Sequence, residues 1–181
     1  MAAQNSDIAV VGHLSIDTIR LPSRTAPFVI LGGAATYTSF AAKTLDATAS
    51  VISKVGGNFP EAYLWWLEQE GIDLSGVTKL ADESTTCFEL SYSKDLSERV
   101  LKLKSKGPTL SPEDVPKDFR AKAVHIAPIA NEIPYEVVEH LKGCADILSL
   151  DPQGLLRSFD EEGNVAENAI VDSRIFGLIN I

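Results

Sequence analysis

The stretch Ile8-Ala9-Val10-Val11-Gly12-His13-Leu14-Ser15-Ile16-Asp17, with Gly32-Gly33 and the alanine-rich run 34–45 after it, decides the fold. Residues 8–12 are apolar on both faces, which is the pattern of a strand inside a parallel sheet covered by helices. Residues 34–45 have helical length and composition. The glycine pair sits at the start of that helix, where its missing Cβ atoms let a backbone approach a ligand and expose N–H groups. Read alone, the pair is more readily a tight, well-packed turn. The Asp17 carboxylate, arriving from the preceding segment at the same place, points to a hydroxyl-rich ligand rather than a phosphate.

The same alternation continues outward. Residues 49–56, 123–129, 147–151 and 175–181 read as further strands, and 60–70 and 134–141 as helices. Asn58, three residues before Glu61 and followed by Pro60, fits a helix start, while Gly71 and Gly143 fit C-terminal stops. Strand-helix-strand repetition gives an α/β layered fold. Residues 85–92 break the rhythm: Thr86, Phe88, Leu90 and Tyr92 alternate on one side, and 99–104 is again strand-like beyond a polar turn. That is a β-hairpin, with 16–21 and 28–31 available to pair with it as a small second sheet. Such a sheet covers a site at the strand ends or forms a solvent-facing appendage; pattern alone allows both. Ligands of open α/β sheets bind beyond the carboxyl ends of the strands. Asp17, Gly32-Gly33, Gly56-Gly57-Asn58, Pro128 and Asp151-Pro152-Gln153 all follow strands and converge on that edge.

The 181 residues, 45% hydrophobic, suffice for a domain with a real core. A formal net charge of −9 argues against nucleic acid or an anionic membrane as partner. No run of eighteen apolar residues occurs, and Met1–Asp7 lacks the positive n-region of a secretory signal. Cys87 and Cys144 have no metal-ligand or CxxC spacing, so reduced structural thiols and a cytoplasmic setting are expected.

In order and spacing, several strings resemble the ribokinase-like (PfkB) carbohydrate kinase family over essentially the whole chain. They are Val-Val-Gly-His-Leu-Ser-Ile-Asp at 10–17, Gly-Gly at 32–33, Val-Gly-Gly-Asn-Phe at 55–59 and Leu-Glu-Gln-Glu-Gly-Ile-Asp at 67–73. His-Ile-Ala-Pro-Ile-Ala-Asn-Glu-Ile at 125–133 and Asp-Pro-Gln-Gly-Leu-Leu-Arg at 151–157 look like a subgroup with archaeal and inositol-kinase-like members. The resemblance implies a Rossmann-like parallel core with a β-sheet lid, about 13–31 and 85–106, and transfer of the ATP γ-phosphate to a hydroxyl of a sugar, polyol or nucleoside. It further implies that Asp17 holds substrate hydroxyls with Ser15 in the same pocket, and that Gly32 and Gly33 let backbone N–H groups reach the substrate. Tyr37 stands where many sugar kinases of the family carry asparagine, which turns recognition away from ribose-type sugars toward a different polyol or a stacking nucleoside. Asn58 replaces a common aspartate. The family's lids often support dimers, so a homodimer through the lid or an exposed C-terminal strand is expected.

The family's Gly-Ala-Gly-Asp string, an anion hole with its general base, does not occur here, nor does GxxxxGK[ST] or GxGxxG. Asn180 resembles the asparagine of the family's Asn-x-x-Glu phosphate and Mg²⁺ motif, without the glutamate. No catalytic or metal-binding residue is therefore assigned, and neither ATP nor Mg²⁺ is expected to bind this chain tightly. The expectation is the incomplete N-terminal, substrate-binding part of a kinase domain; the alternative is a polyol- or nucleoside-binding module without phosphoryl transfer. Among other candidates, Asp151 reads as site structure rather than base, His125 as a core histidine and His13 as a residue at the site edge. Of Trp65 and Trp66, one is expected in the core. Glu132 and Arg157 read as exposed charges, and Asp160–Asn164 as a solvated turn.

Overall fold

The computed structural model describes residues 6–169 and 172–181. At its centre β1 (Ser6–Val11) lies between β4 (Ala49–Gly56) and β8 (Ala121–Ile126), with β5 (Ile72–Leu80) and β9 (Ala145–Leu150) outside them. All pairings in this five-stranded sheet, ordered β5-β4-β1-β8-β9, are parallel. The unbroken apolar run of β1 is explained by burial on both faces. Ala9 and Val11 point into a core closed by α3 (Tyr135–Lys142), where Val137, Val138 and Leu141 are buried, while Val10 points into a second core. That second core holds Leu14, Ala35, Phe59 and Leu67, from the side of α1 (Ala34–Thr44) and α2 (Glu61–Gln69).

The lid is a four-stranded sheet ordered β3-β2-β6-β7. It is built from two antiparallel hairpins, β2 (Ser15–Arg20) with β3 (Phe28–Gly32) and β6 (Cys87–Tyr92) with β7 (Arg99–Ser105), joined by parallel pairing of β2 with β6. The chain leaves the core for the lid after β1 and again after β5. Phe88 of β6 is buried against Ile129 and Ala130 of the core, with Leu90, Leu101 and Leu103 beside it.

Several elements depart from the pattern reading. β5 was not anticipated, because Asp73, Ser75, Gly76 and Thr78 dilute its apolar residues, as suits an edge strand. A two-stranded hairpin of β10 (Arg157–Phe159) and β11 (Val165–Glu167) flanks the turn at Asp160–Asn164, and Phe159 and Val165 pack on the lid cluster. Residues 175–181 do not form a strand. Ser173–Gly177 is a 3-10 helix opened by the Asp172 carboxylate accepting from Arg174 N–H at 3.1 Å, with Ile175 buried. Sheet-like bonding begins only at the end, where Ile181 N–H donates to Leu148 O at 3.2 Å and Ile181 O accepts from Leu150 N–H at 3.0 Å. Asn58 does not cap α2. Pro60 occupies that position, and the Asn58 amide oxygen accepts from Thr85 N–H at 2.8 Å, tying down the entry to β6. Both tryptophans are exposed, Trp65 at 62% and Trp66 at 42%, the latter stacked on Phe40 at 4.8 Å between centroids. The turns of α2 bury only Leu67, so neither indole enters the core.

Candidate functional site

Between the lid and the carboxyl ends of the central strands lies a cavity of about 460 Å³. Ser15, Asp17, Gly33 and Tyr37 line it from the β1–α1 stretch, Asp151, Gln153 and Arg157 from the segment after β9, and Phe88, Leu90, Arg99 and Leu101 from the lid. The Ser15 hydroxyl donates to Asp17 Oδ1 at 2.8 Å and fixes the carboxylate. Burial pushes the Asp17 carboxyl above the usual range, opposed by the Ser15 hydrogen bond and the charge of Arg157. A carboxylate with unspent acceptor capacity in a half-dry cavity is suited to receive hydroxyl donors.

The glycine pair clears space for this group. A Cβ on Gly32 would lie 2.3 Å from Asp17 Oδ2, and one on Gly33 would lie 2.4 Å from His13 O. Gly33 also has φ 93°, a conformation closed to most side chains, and serves as the N-cap of α1 with no side-chain partner for the first-turn N–H groups. Gly32 does not itself line the cavity; it stands beneath Asp17. Tyr37, one turn into α1, lines the cavity and is 58% exposed, its hydroxyl 3.5 Å from Leu31 O.

Arg157 is not a surface charge. Phe159, two residues on, packs inward against the lid cluster, and the period of a strand carries Arg157 to the same face. Its Nη1 donates to Ile129 O at 3.0 Å, and its guanidinium carbon lies 5.4 Å from the Phe88 ring centroid. Burial, then the nearby Arg99 charge, lowers its proton affinity, while Asp151, Glu132 and Asp17 oppose that. Among the described residues Arg157 forms no ion pair with a carboxylate, and it lines the cavity. The sequence signal was there in the alternation Arg157-Ser158-Phe159, but so short a strand between polar turns is hard to read.

Asp151 lines the cavity while its Oδ1 accepts from Gln153 N–H at 2.9 Å. His125 bonds Ser149 Oγ at 2.8 Å, and burial lowers its proton affinity. His13 is fully buried rather than at the site edge. Its Nε2 lies 3.0 Å from Pro108 O and its Nδ1 2.7 Å from Thr86 Oγ1. A carbonyl can only accept, so Nε2 carries the proton and Thr86 donates to Nδ1. Glu132 is likewise fully buried, not exposed. Asn180 lies beside β9, its side-chain oxygen accepting from Leu148 N–H at 2.8 Å, and is not among the cavity residues. Among the described residues no three His, Cys, Asp or Glu side chains gather as metal ligands.

No family model matches the chain. A cytidine kinase of Thermococcus kodakarensis is 29% identical over 147 residues, covering 81% of this chain and 52% of that protein. The inositol 3-kinase of Arabidopsis thaliana is 25% identical over 182 residues, covering 98% of this chain and 48% of that protein. A pyrophosphate-dependent kinase of the ribokinase family, solved with a pyrophosphate analogue and myo-inositol, superposes with a TM-score of 0.72 at 23% identity over 88% of this chain and 54% of that one. The chain thus spans about half the length of the curated relatives it matches. The fold is ribokinase-like, and the resemblance to PfkB carbohydrate kinases with archaeal and inositol-kinase relatives is borne out.

Proposed function

We propose that this chain carries the acceptor-binding portion of a ribokinase-like kinase that phosphorylates a hydroxyl of a sugar, polyol or nucleoside. The observation that carries this reading is the convergence of Ser15, Asp17 and Arg157 on one cavity under the lid. Asp17 accepts from substrate hydroxyls, Arg157 donates to substrate oxygens, Gly33 gives close backbone approach, and Tyr37 covers an apolar face of the ligand. The phosphoryl donor, ATP with Mg²⁺ as the resemblance implies or pyrophosphate as in the structural neighbour, is assigned to residues outside this chain. Two free cysteines support a cytoplasmic setting, and no helix among the described residues is long and apolar enough to cross a membrane. Exposed Phe28 and Val29 on the edge strand β3 support pairing of two copies through their lids, which sedimentation would reveal.

Calorimetric titration with myo-inositol, cytidine and simple sugars tests the reading. At least one should bind, and Asp17→Ala should abolish the heat; unchanged affinity removes Asp17 from the site. The missing catalytic string supports a second reading, a binding module that transfers no phosphate. A reading frame that continues into Gly-Ala-Gly-Asp decides for the kinase.

A further inference from the structure

Glu132 is a buried carboxylate that the acceptor site does not use. It is 0% exposed, and among the described residues no basic side chain forms an ion pair with it. Its charge is instead met by backbone N–H groups. Ile129 donates to both oxygens at 3.0 Å, Ala130 to Oε2 at 2.7 Å, and His13 to Oε1 at 3.0 Å. Asn131, with φ 55°, turns the chain so that the side chain of the next residue, Glu132, fills this nest of amides. Burying a carboxylate without a cation is costly unless such donors surround it, so the arrangement needs both the 129–130 loop amides and the His13 amide.

The two sides of this nest lead to the two polar sides of the cavity. His13 immediately precedes the segment bearing Ser15 and Asp17. Ile129 O receives Arg157 Nη1 at 3.0 Å, and Asn131 Nδ2 donates to Arg157 O at 2.7 Å. We propose that Glu132 is a positioning residue that fixes Arg157 opposite Asp17 by clamping the 129–131 loop to the β1–β2 crossing. The role assigned to the Asp17–Arg157 pair rests on the acceptor-pocket reading; the clamp itself does not. Replacing Glu132 with Gln puts an NH₂ against at least one of the three N–H groups, so the loop must shift and Ile129 O with it.

The test uses the whole chain with Glu132→Gln, Glu132→Asp, Arg157→Ala and the Glu132→Gln/Arg157→Ala double variant. In the free protein, the ¹⁵N-resolved Arg157 Nε–H signal should shift and broaden in Glu132→Gln, and the Ile129 and Ala130 amides should exchange about tenfold faster or more. Glu132→Asp keeps the charge but is one methylene too short, and should move the Arg157 signal in the same way, which keeps the test open if the Gln variant does not fold. An unchanged Arg157 signal in a folded variant overturns the proposal. In titrations with myo-inositol and cytidine, Glu132→Gln should weaken binding about tenfold, and its loss should not add to that of Arg157→Ala. Additive losses mark a merely structural glutamate and also overturn it. If neither compound binds the wild-type chain, the acceptor reading fails while the Arg157 signal still decides the clamp.

Discussion

Asp17 is held at a cost to the free protein. Its folded pKa is raised by burial, so the folded state binds a proton more readily than the unfolded chain, and stability falls as pH rises through that window. Asp17→Asn should therefore leave thermal stability unchanged or slightly higher while weakening ligand binding, because it removes the charge and replaces one acceptor oxygen with a donor. Ligand affinity of the wild type should fall on acidification at a higher pH than an ordinary carboxylate would give, a shift that pH-dependent calorimetry reads. His13 has the opposite sign. Burial lowers its folded pKa below the ordinary 6.5, so the stability of the neutral imidazole is fully present above pH 6.5 and is lost as the unfolded chain takes up its proton below it. His125 contributes in the same direction. His13→Gln should flatten, not abolish, the acid slope of Tm. Neither His13 nor Glu132 was legible as a buried residue, because isolated polar letters in a sequence do not reveal the backbone groups that will satisfy them.

The β3–α1 junction carries a clean contrast between its two glycines. A Cβ on Gly33 meets the backbone of His13, and its φ of 93° is closed to alanine; Gly33→Ala should cost at least about 2 kcal/mol, read as a drop in denaturation midpoint. A Cβ on Gly32 meets first the side chains of Asp17 and Ser15 rather than backbone. Gly32→Ala should cost under about 1 kcal/mol, because those side chains can turn away, yet remove most of the ligand affinity. The parallel strands β1, β4, β8 and β9 were legible because burial on both faces writes a continuous apolar run, and the lid because half-burial writes an alternation. β5, the β10–β11 hairpin and the 3-10 turn at Ser173–Gly177 were not. Edge position, brevity and a local aspartate cap leave only weak periodic traces, so neither the β10–β11 hairpin nor the inward turn of Arg157 is visible in the pattern.

For the whole molecule, the junction of lid and core depends on a few buried polar atoms. Thr86 Oγ1 serves His13 Nδ1 at 2.7 Å and accepts from Gly107 N–H at 2.8 Å, so one hydroxyl joins both exits of the lid to the β1–β2 crossing. Thr86→Val, nearly isosteric, should cost about 1–3 kcal/mol by leaving both partners unsatisfied. Hydrogen exchange should accelerate in β6 and β7 more than in β8. Beyond that root, β7 is held by its pairing with β6, by Leu101 and Leu103 packing beside Phe88, by Leu103 N–H reaching Gly163 O at 2.7 Å, and by Lys102 bridging Asn164. Because the chain enters and leaves the lid twice, the sheet is mounted like a cantilever beam, built in at one end and free at the other. A beam of this kind cannot swing on a pin; it bends, with no displacement at the mount and the largest at the tip. Arg99, at the far end of the β6–β7 hairpin, should therefore travel farthest if the sheet bends, while Asp17 and Gly32, on the paired strands β2 and β3 near the mount, should keep their spacing.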